Sequence, residues 1–266
     1  MIGSFDFFGR EISSYMLCAF VGIMVTGVFA FIKAKKNNLN EVMMTFMLMS
    51  SVVGVLIGGH LLFAVTNLDK LWLFGKVRSF GDFIAVASVI FGGQVFYGGL
   101  FGGIGAALLF AKITRLENFS GYTDIMAAGV PLFHVFGRIG CFLGGCCYGV
   151  ESDFGFTFHN SLAYGANGVN RFPVQLFEAG FCLLITVFIL RLSRCEKLKG
   201  RLFYIYLFTY AIGRFILEFF RGDSYRGFLL GLSTSQIISV VVIMLILFYF
   251  FFAKRKIGKR ENKPEI

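Results

Sequence analysis

Seven apolar stretches, near residues 13–32, 42–65, 83–111, 125–149, 172–190, 202–220 and 228–253, approach or exceed the roughly 20 residues a helix needs to cross a bilayer. Inside hydrocarbon each backbone N–H and C=O must be satisfied within the protein, so only helices and closed barrels can span it. Long unbroken apolar runs, rather than short alternating ones, select helices. Hydrophobic residues make up 57% of the 266-residue chain and charged ones 15%, and mean hydropathy is +0.76. That composition excludes an ordinary soluble domain. The expected architecture is an all-α integral membrane protein of about seven transmembrane helices, one polytopic domain over residues 1–266. With only three prolines there is little to suggest linkers. Asp6, Arg10 and Glu11 precede the first apolar run, which is not the order of a cleaved signal peptide, so the N-terminus is expected to be retained.

Cations between the runs are uneven. Lys33, Lys35 and Lys36, then Lys112 and Arg115, then Arg191 to Arg201, then the tail from Lys254, carry most of them. By the positive-inside rule these loops are cytoplasmic, with the N-terminus outside and the C-terminus inside. The net charge of +10 is thereby read as a topology signal and a contact with anionic lipid heads, not as a nucleic-acid footprint. Residues 151–171, rich in Asn and Gly, are the longest polar stretch between runs and predict a small extracytoplasmic cap. Phe83–Ala111 has no charge over 29 residues but seven glycines, too many for one plain helix, so a broken or re-entrant segment is expected there. No internal repeat is visible, which argues against a transporter built from inverted halves.

Few ionisable residues fall inside the runs: His60, His134, Arg138, Glu178, Arg214 and Glu218, with Arg221 at a run's end. An arginine at the centre of a span costs at least about 2.5 kcal/mol, so such groups face an interior with partners. Arg214, Glu218 and Arg221 follow helical spacing and predict one shared face. Arg138 has no carboxylate within a turn, and Glu178, with Gln175 one turn earlier, is the candidate partner from another helix. Arginines in a membrane cavity with too few carboxylates to neutralise them suit a membrane-resident anion, above all a phospholipid phosphate, which guanidinium groups bind in a planar, two-pronged way.

Seven segments now fall into a pattern: EISSYMLCAFVG from Glu11, GGH at Gly58–His60, FYGGLFGG at Phe96–Gly103, DIMAAGVPLFHVFGRIGCF at Asp124–Phe142, RFPVQLFEA at Arg171–Ala179, GRFILEFFRGD at Gly213–Asp223, and LSTSQIIS before the last run. In this order they resemble the prolipoprotein diacylglyceryl transferase family over nearly the whole chain. The resemblance implies a multi-pass enzyme of the bacterial cytoplasmic (inner) membrane that uses no cofactor. It would move the diacylglyceryl group of phosphatidylglycerol to the lipobox cysteine of prolipoproteins. By the same resemblance Arg138 contacts the phosphatidylglycerol head group, and Arg214, backed by Glu218, lies near the leaving phosphate. From their positions in the sequence, Gln175, Glu178, His134 and Arg221 are expected to support them.

The chain also departs from the family. Tyr97 stands where the family commonly has a histidine proposed as base, and Cys141, Gly144 and Cys146 replace asparagine, asparagine and glutamate. Tyr97 stays a candidate catalytic residue, although a phenol with an ordinary pKa near 10 is a poor base at neutral pH. His134, His60 and Glu178 are alternative bases. These departures keep open a same-fold transferase with another acceptor (a glycan, polymer or small amphiphile) and a non-enzymatic lipid-binding or transport protein. The six cysteines, Cys18, Cys141, Cys146, Cys147, Cys182 and Cys195, lack zinc-type spacing, so no metal site is expected and close packing is the favoured reading. A disulfide from Cys141 to Cys146 or Cys147, or a nucleophilic cysteine, are the minority readings.

Overall fold

The computed structural model describes residues 4–7, 10–159, 161, 163–223, 228–229 and 231–261. Its helices are α1 (Ser14–Lys36), α2 (Glu41–Val65), α3 (Phe80–Phe91), α4 (Phe96–Ile113), α5 (Phe119–Gly144), α6 (Val174–Leu192), α7 (Leu202–Leu217) and α8 (Thr234–Glu261). Three small antiparallel hairpins accompany them: β1 (Ser4–Phe7) with β2 (Arg10–Ser13), β3 (Glu151–Thr157) with β4 (Asn170–Arg171), and β5 (Phe228–Leu229) with β6 (Leu232–Ser233). Among the described residues six helices are long and apolar enough to cross a membrane. The expected third run is instead divided: α3 ends at Phe91, residues 92–95 are non-helical, and α4 begins at Phe96. Gly92 and Gly93 make the break inexpensive, since glycine is a poor helix former. Six of the seven apolar runs thus form single helices of spanning length among the described residues, and the 83–111 run forms a pair of shorter apolar helices.

The chain folds into two compact units, Ala30–Tyr122 and a second one made of Met1–Phe29 with Thr123–Ile266. In the first, α2 is started by Asn40, whose side chain accepts from the Met43 N–H at 3.0 Å. Ser79 and Asp82 form a reciprocal capping box at the start of α3. The Arg78 N–H, then the Ser79 hydroxyl, hold the Asp82 carboxyl below its ordinary range. This cap's contribution is present above about pH 4 and lost as pH falls through the lowered value. Helices α2 and α4 pack backbone to backbone. A Cβ at Gly58 would lie 2.2 Å from the Gly98 carbonyl oxygen, and one at Gly102 would lie 2.1 Å from that of Gly54. Lipid tails are as apolar as leucine, so such helices associate through close packing of small residues rather than through hydrophobic exclusion.

In the second unit Ala127 and Ala128 of α5, Ile185 and Ile189 of α6, and Leu202 and Tyr206 of α7 form a buried core. The N-terminus of α7 has no cap of its own. Asp124 on α5 supplies it, accepting from the backbone N–H groups of Gly200 and, at 3.0 Å, Leu202. Helix α8 starts on a reciprocal pair: the Gln236 side chain accepts from the Ser233 N–H and the Ser233 hydroxyl from the Gln236 N–H. Its outer face, including Met244, Leu245, Phe248 and Phe251, is exposed and apolar, as suits a surface whose solvent is lipid. The 151–171 stretch forms the β3–β4 hairpin, underpinned by Tyr148, Phe158 and Ala166 and by the Arg171 guanidinium 4.8 Å from the Tyr148 ring centre.

Two substitutions test these joints. Asp124→Ala removes charged hydrogen bonds worth about 1.5–3 kcal/mol, and the thermal midpoint in detergent should fall accordingly. Gly102→Val forces α4 off α2 at a cost of about 1–3 kcal/mol; a cysteine pair placed across α2 and α4 should cross-link less readily in that variant.

Candidate functional site

Glu178 sits on the second turn of α6 and is almost fully buried. Its Oε2 meets Nε of Arg138, from α5, at 2.7 Å. Its Oε1 meets Nη1 of Arg214, from α7, at 2.5 Å and Nη1 of Arg221 at 3.5 Å. One carboxylate thus serves three guanidinium groups. Arg214 also reaches Glu218 at 2.7 Å and donates to the Ser235 hydroxyl at 3.2 Å, and Arg221 pairs with Asp223 at 3.1 Å. Burying this much charge is costly, and only a network in which each charge is paired makes it tolerable. Arg138, Glu178, Phe181, Cys182, Tyr210, Arg214 and Leu217 line a small gap here.

Local structure explains how the groups arrive. Pro131 lies inside α5, about two turns before Arg138, where it removes one backbone hydrogen bond without ending the helix. Helix α7 ends at Leu217, Glu218–Phe220 form a 3-10 turn, and Arg221 is extended. The extended segment is stitched to the chain leaving α5: Gly149 bridges Arg221, and the Gly222 N–H donates to the Tyr148 carbonyl at 3.0 Å. Arg221 therefore reaches Glu178 through this turn and bridge, not from the continuous helical face that its spacing predicts. The expected excess of arginines is also corrected. Arg138, Arg214 and Arg221 are matched in number by Glu178, Glu218 and Asp223, because Asp223 comes from beyond the apolar run.

The remaining candidates separate. Gln175 is fully buried but donates to the Cys146 carbonyl at 2.9 Å, so it braces a loop rather than an arginine. His134 packs its ring 5.5 Å from that of Tyr210, and its Nδ1 is buried without a hydrogen-bond partner among the described residues. His60 belongs to the other unit. Its Nδ1 lies 2.7 Å from the Phe91 carbonyl, which can only accept, so Nδ1 carries the proton; Nε2, 3.1 Å from the Gln94 amide nitrogen, is then the acceptor. With that lone pair engaged, His60 is poorly placed to be a base. Tyr97 lies in the first turn of α4, and its side chain falls outside the described ones. Spacing arguments missed Ser235, Asp223 and Tyr210. Only the run LSTSQIIS, polar at the edge of an apolar stretch, hinted at the first.

Among the cysteines, Cys18 faces close helix packing, its Cβ 3.1 Å from where a Cβ on Gly140 would lie, and Cys182 is buried. The sulfurs of Cys141, Cys146 and Cys147, by contrast, all lie within 4.8 Å of one another. Sequence spacing does not predict this convergence. It follows from the end of α5, where Gly145, at φ +73°, closes the helix in a Schellman arrangement: its N–H donates to Phe142 and that of Cys146 to the Cys141 carbonyl.

The chain matches the sequence profile described as "Prolipoprotein diacylglyceryl transferase" over residues 3–252. It is 32% identical over 238 residues to the phosphatidylglycerol–prolipoprotein diacylglyceryl transferase of Clostridium tetani, covering 89% of this chain and 91% of that protein. The protein named phosphatidylglycerol–prolipoprotein diacylglyceryl transferase 2 in Clostridium perfringens is 33% identical over 241 residues, 88% of each chain. That of Rickettsia akari is 34% identical over 243 residues, covering 86% of this chain and 87% of the other. With a membrane-compatible helical bundle, a buried arginine cluster and a match of this length, the chain belongs to the prolipoprotein diacylglyceryl transferase family.

Proposed function

We propose that this protein transfers the diacylglyceryl group of phosphatidylglycerol to the lipobox cysteine of prolipoproteins and releases glycerol phosphate. The observation that carries the reading is Glu178 holding Arg138, Arg214 and Arg221 together inside an apolar bundle of a chain of this family. Each guanidinium has five N–H donors, more than a shared carboxylate can use, so a phosphate can join the cluster without dismantling it. Arg138 binds the lipid phosphate. The substrate thiolate attacks the glycerol carbon, the S–C bond forms as the C–O bond to phosphate breaks, and the electron pair leaves on the phosphate oxygen. Arg214, oriented by Glu218 and Glu178, faces that developing charge, where a preorganised donor is most effective. Arg221 pairs with Glu178 in the cluster, His134 lies one turn before Arg138 on α5, Gln175 braces the loop that follows α5, and Tyr97 is a proposed catalytic residue by its place in the family pattern.

Lysine and arginine distribution supports an outer N-terminus, an inner C-terminus and a 151–171 cap outside the membrane; membership of the family supports the bacterial cytoplasmic membrane as location. A second reading, the same donor with a glycan, polymer or small amphiphile as acceptor, is favoured by Tyr97 and the cysteines where the family pattern has other polar groups.

Expression in a cell depleted of its own diacylglyceryl transferase, with a reporter prolipoprotein, tests the reading. Lipidation of the reporter is expected. Release of glycerol phosphate without it would favour the second reading, and neither product from a membrane-inserted protein would refute both. Arg138→Ala and Arg214→Ala should each lower lipidation about 100-fold or more, and Arg214→Lys should not restore it, because an ammonium cannot reproduce the planar fork. Tyr97→Phe should slow transfer about tenfold, the worth of one hydrogen bond; an unchanged rate removes Tyr97 from the site. Glu178→Gln leaves buried guanidiniums short of a counter-charge and should cost about 3–5 kcal/mol of stability in zwitterionic detergent. Added phosphatidylglycerol should recover part of that loss in thermal unfolding, as a ligand that binds only the folded state must.

A further inference from the structure

The three converging thiols have no part in the phosphate cluster, yet several features hold them together. Cys141 is buried on the last turn of α5, while Cys146 and Cys147 are partly exposed on the loop beyond it, so an ion and a further ligand have a way in. Gly145 is accounted for as a helix cap. Cys147 is not, because it lies past the cap and still adopts φ +55°, a left-handed conformation that costs a side-chain-bearing residue about 1–2 kcal/mol. Gln175, an amide buried to 0% exposure, spends its Nε2 on the Cys146 carbonyl and so pins the loop that carries two of the sulfurs. Strain at a reactive residue, held by a buried polar brace, is the usual mark of a site whose geometry is imposed by the surrounding structure.

Distances and charge agree on what such a set would hold. At a Zn–S distance of about 2.3 Å, three sulfurs on a tetrahedral ion lie about 3.8 Å apart. Sulfurs already within 4.8 Å of one another need to close by about 1 Å at most to reach that spacing. Three thiolates and one divalent ion carry a net charge of −1. Arg138 lies one turn before Cys141 on α5, and the segment carrying Arg221 is bridged to Gly149 just past Cys147, so cations flank the loop that holds the sulfurs. Thiolate ligands select thiophilic ions over magnesium or calcium.

We propose that Cys141, Cys146 and Cys147 form a three-thiolate site for a thiophilic divalent ion of the zinc class, whose fourth position takes the thiol of the acceptor substrate. The second half rests on the thiol acceptor proposed above. Binding of the ion displaces three protons from the cysteines to solvent, and coordination of the acceptor thiol displaces a fourth, so the nucleophile is delivered as a metal-bound thiolate. Its sulfur then forms the bond to the glycerol carbon while the phosphate departs with the C–O electron pair, and the resulting thioether, a weak ligand, leaves the ion.

The full-length protein, purified in mild detergent under reductant, provides the test. Elemental analysis after incubation with Zn²⁺ and dialysis should find about one ion per chain. Cys147→Ser and Cys141→Ser should each weaken binding about tenfold or more, while the exposed Cys195→Ser should not. With Co²⁺ in place of Zn²⁺, the visible and thiolate charge-transfer absorption should shift on adding a lipobox-cysteine peptide and stay unchanged with its serine counterpart. No retained ion, occupancy equal in the wild type and both ligand variants, or an absorption indifferent to the peptide would each overturn the proposal. Undiminished reporter lipidation by metal-stripped enzyme would overturn it too while leaving the transferase reading intact. Stoichiometric ion with a peptide-dependent shift but no lipidation would instead uphold the site and sink that reading.

Discussion

Glu178 is a single buried carboxylate shared by three arginines, from two helices and the turn beyond one of them. Arg138 arrives from α5, Arg214 from α7 and Arg221 from the turn beyond it, and no pair among them would be stable in an apolar span without the acid between. In a low-dielectric interior the mutual repulsion of the guanidiniums is strong, and so is their attraction to a shared counter-ion. The bundle must therefore close around that carboxylate or not at all. The neighbouring pairs, Arg214 with Glu218 and Arg221 with Asp223, bring the cluster close to neutrality and leave donors directed to a ligand.

That arrangement reconciles two demands that conflict in a membrane. A phosphate site needs cations, yet unpaired cations oppose insertion and folding. Here the arginines are already paired, and in the proposed reading a phosphate would compete for donors that the carboxylates orient. Preorganisation of this kind is where enzymes obtain most of their electrostatic advantage, because no dipole has to reorient as charge develops. The same economy of structure extends to the α5 end, where the Tyr148–Gly149 backbone ties to Arg221 and Gly222 and so couples the cysteine loop to the arginine cluster.

Helical class, the break in the 83–111 run and the partnership of Arg138 with Glu178 were legible because each rests on a one-dimensional rule: apolar length, glycine density, and the need of a membrane charge for a counter-charge. Other features were not. Arg221 keeps helical spacing from Arg214, but a 3-10 turn intervenes and a strand-like bridge carries it to Glu178 instead. Gln175 shares a helical face with Glu178 and still turns to a backbone carbonyl. His60 carries the residue type of a base, and only the pairing of both its nitrogens shows that it is already committed.

By itself the sequence determined the solvent of this protein, its helical class, its family and the charged residues that must be buried, since all follow from composition, run length and ordered motifs. Tertiary structure alone decided that one glutamate is shared by three arginines, that Asp124 caps a helix 78 residues away, and that three unremarkably spaced cysteines meet. The reason is physical. Hydrophobic periodicity and backbone propensity act along the chain and can be read there, whereas ion pairs and sulfur clusters depend on side chains brought together by helix ends, left-handed turns and close backbone contacts whose outcome no local rule specifies.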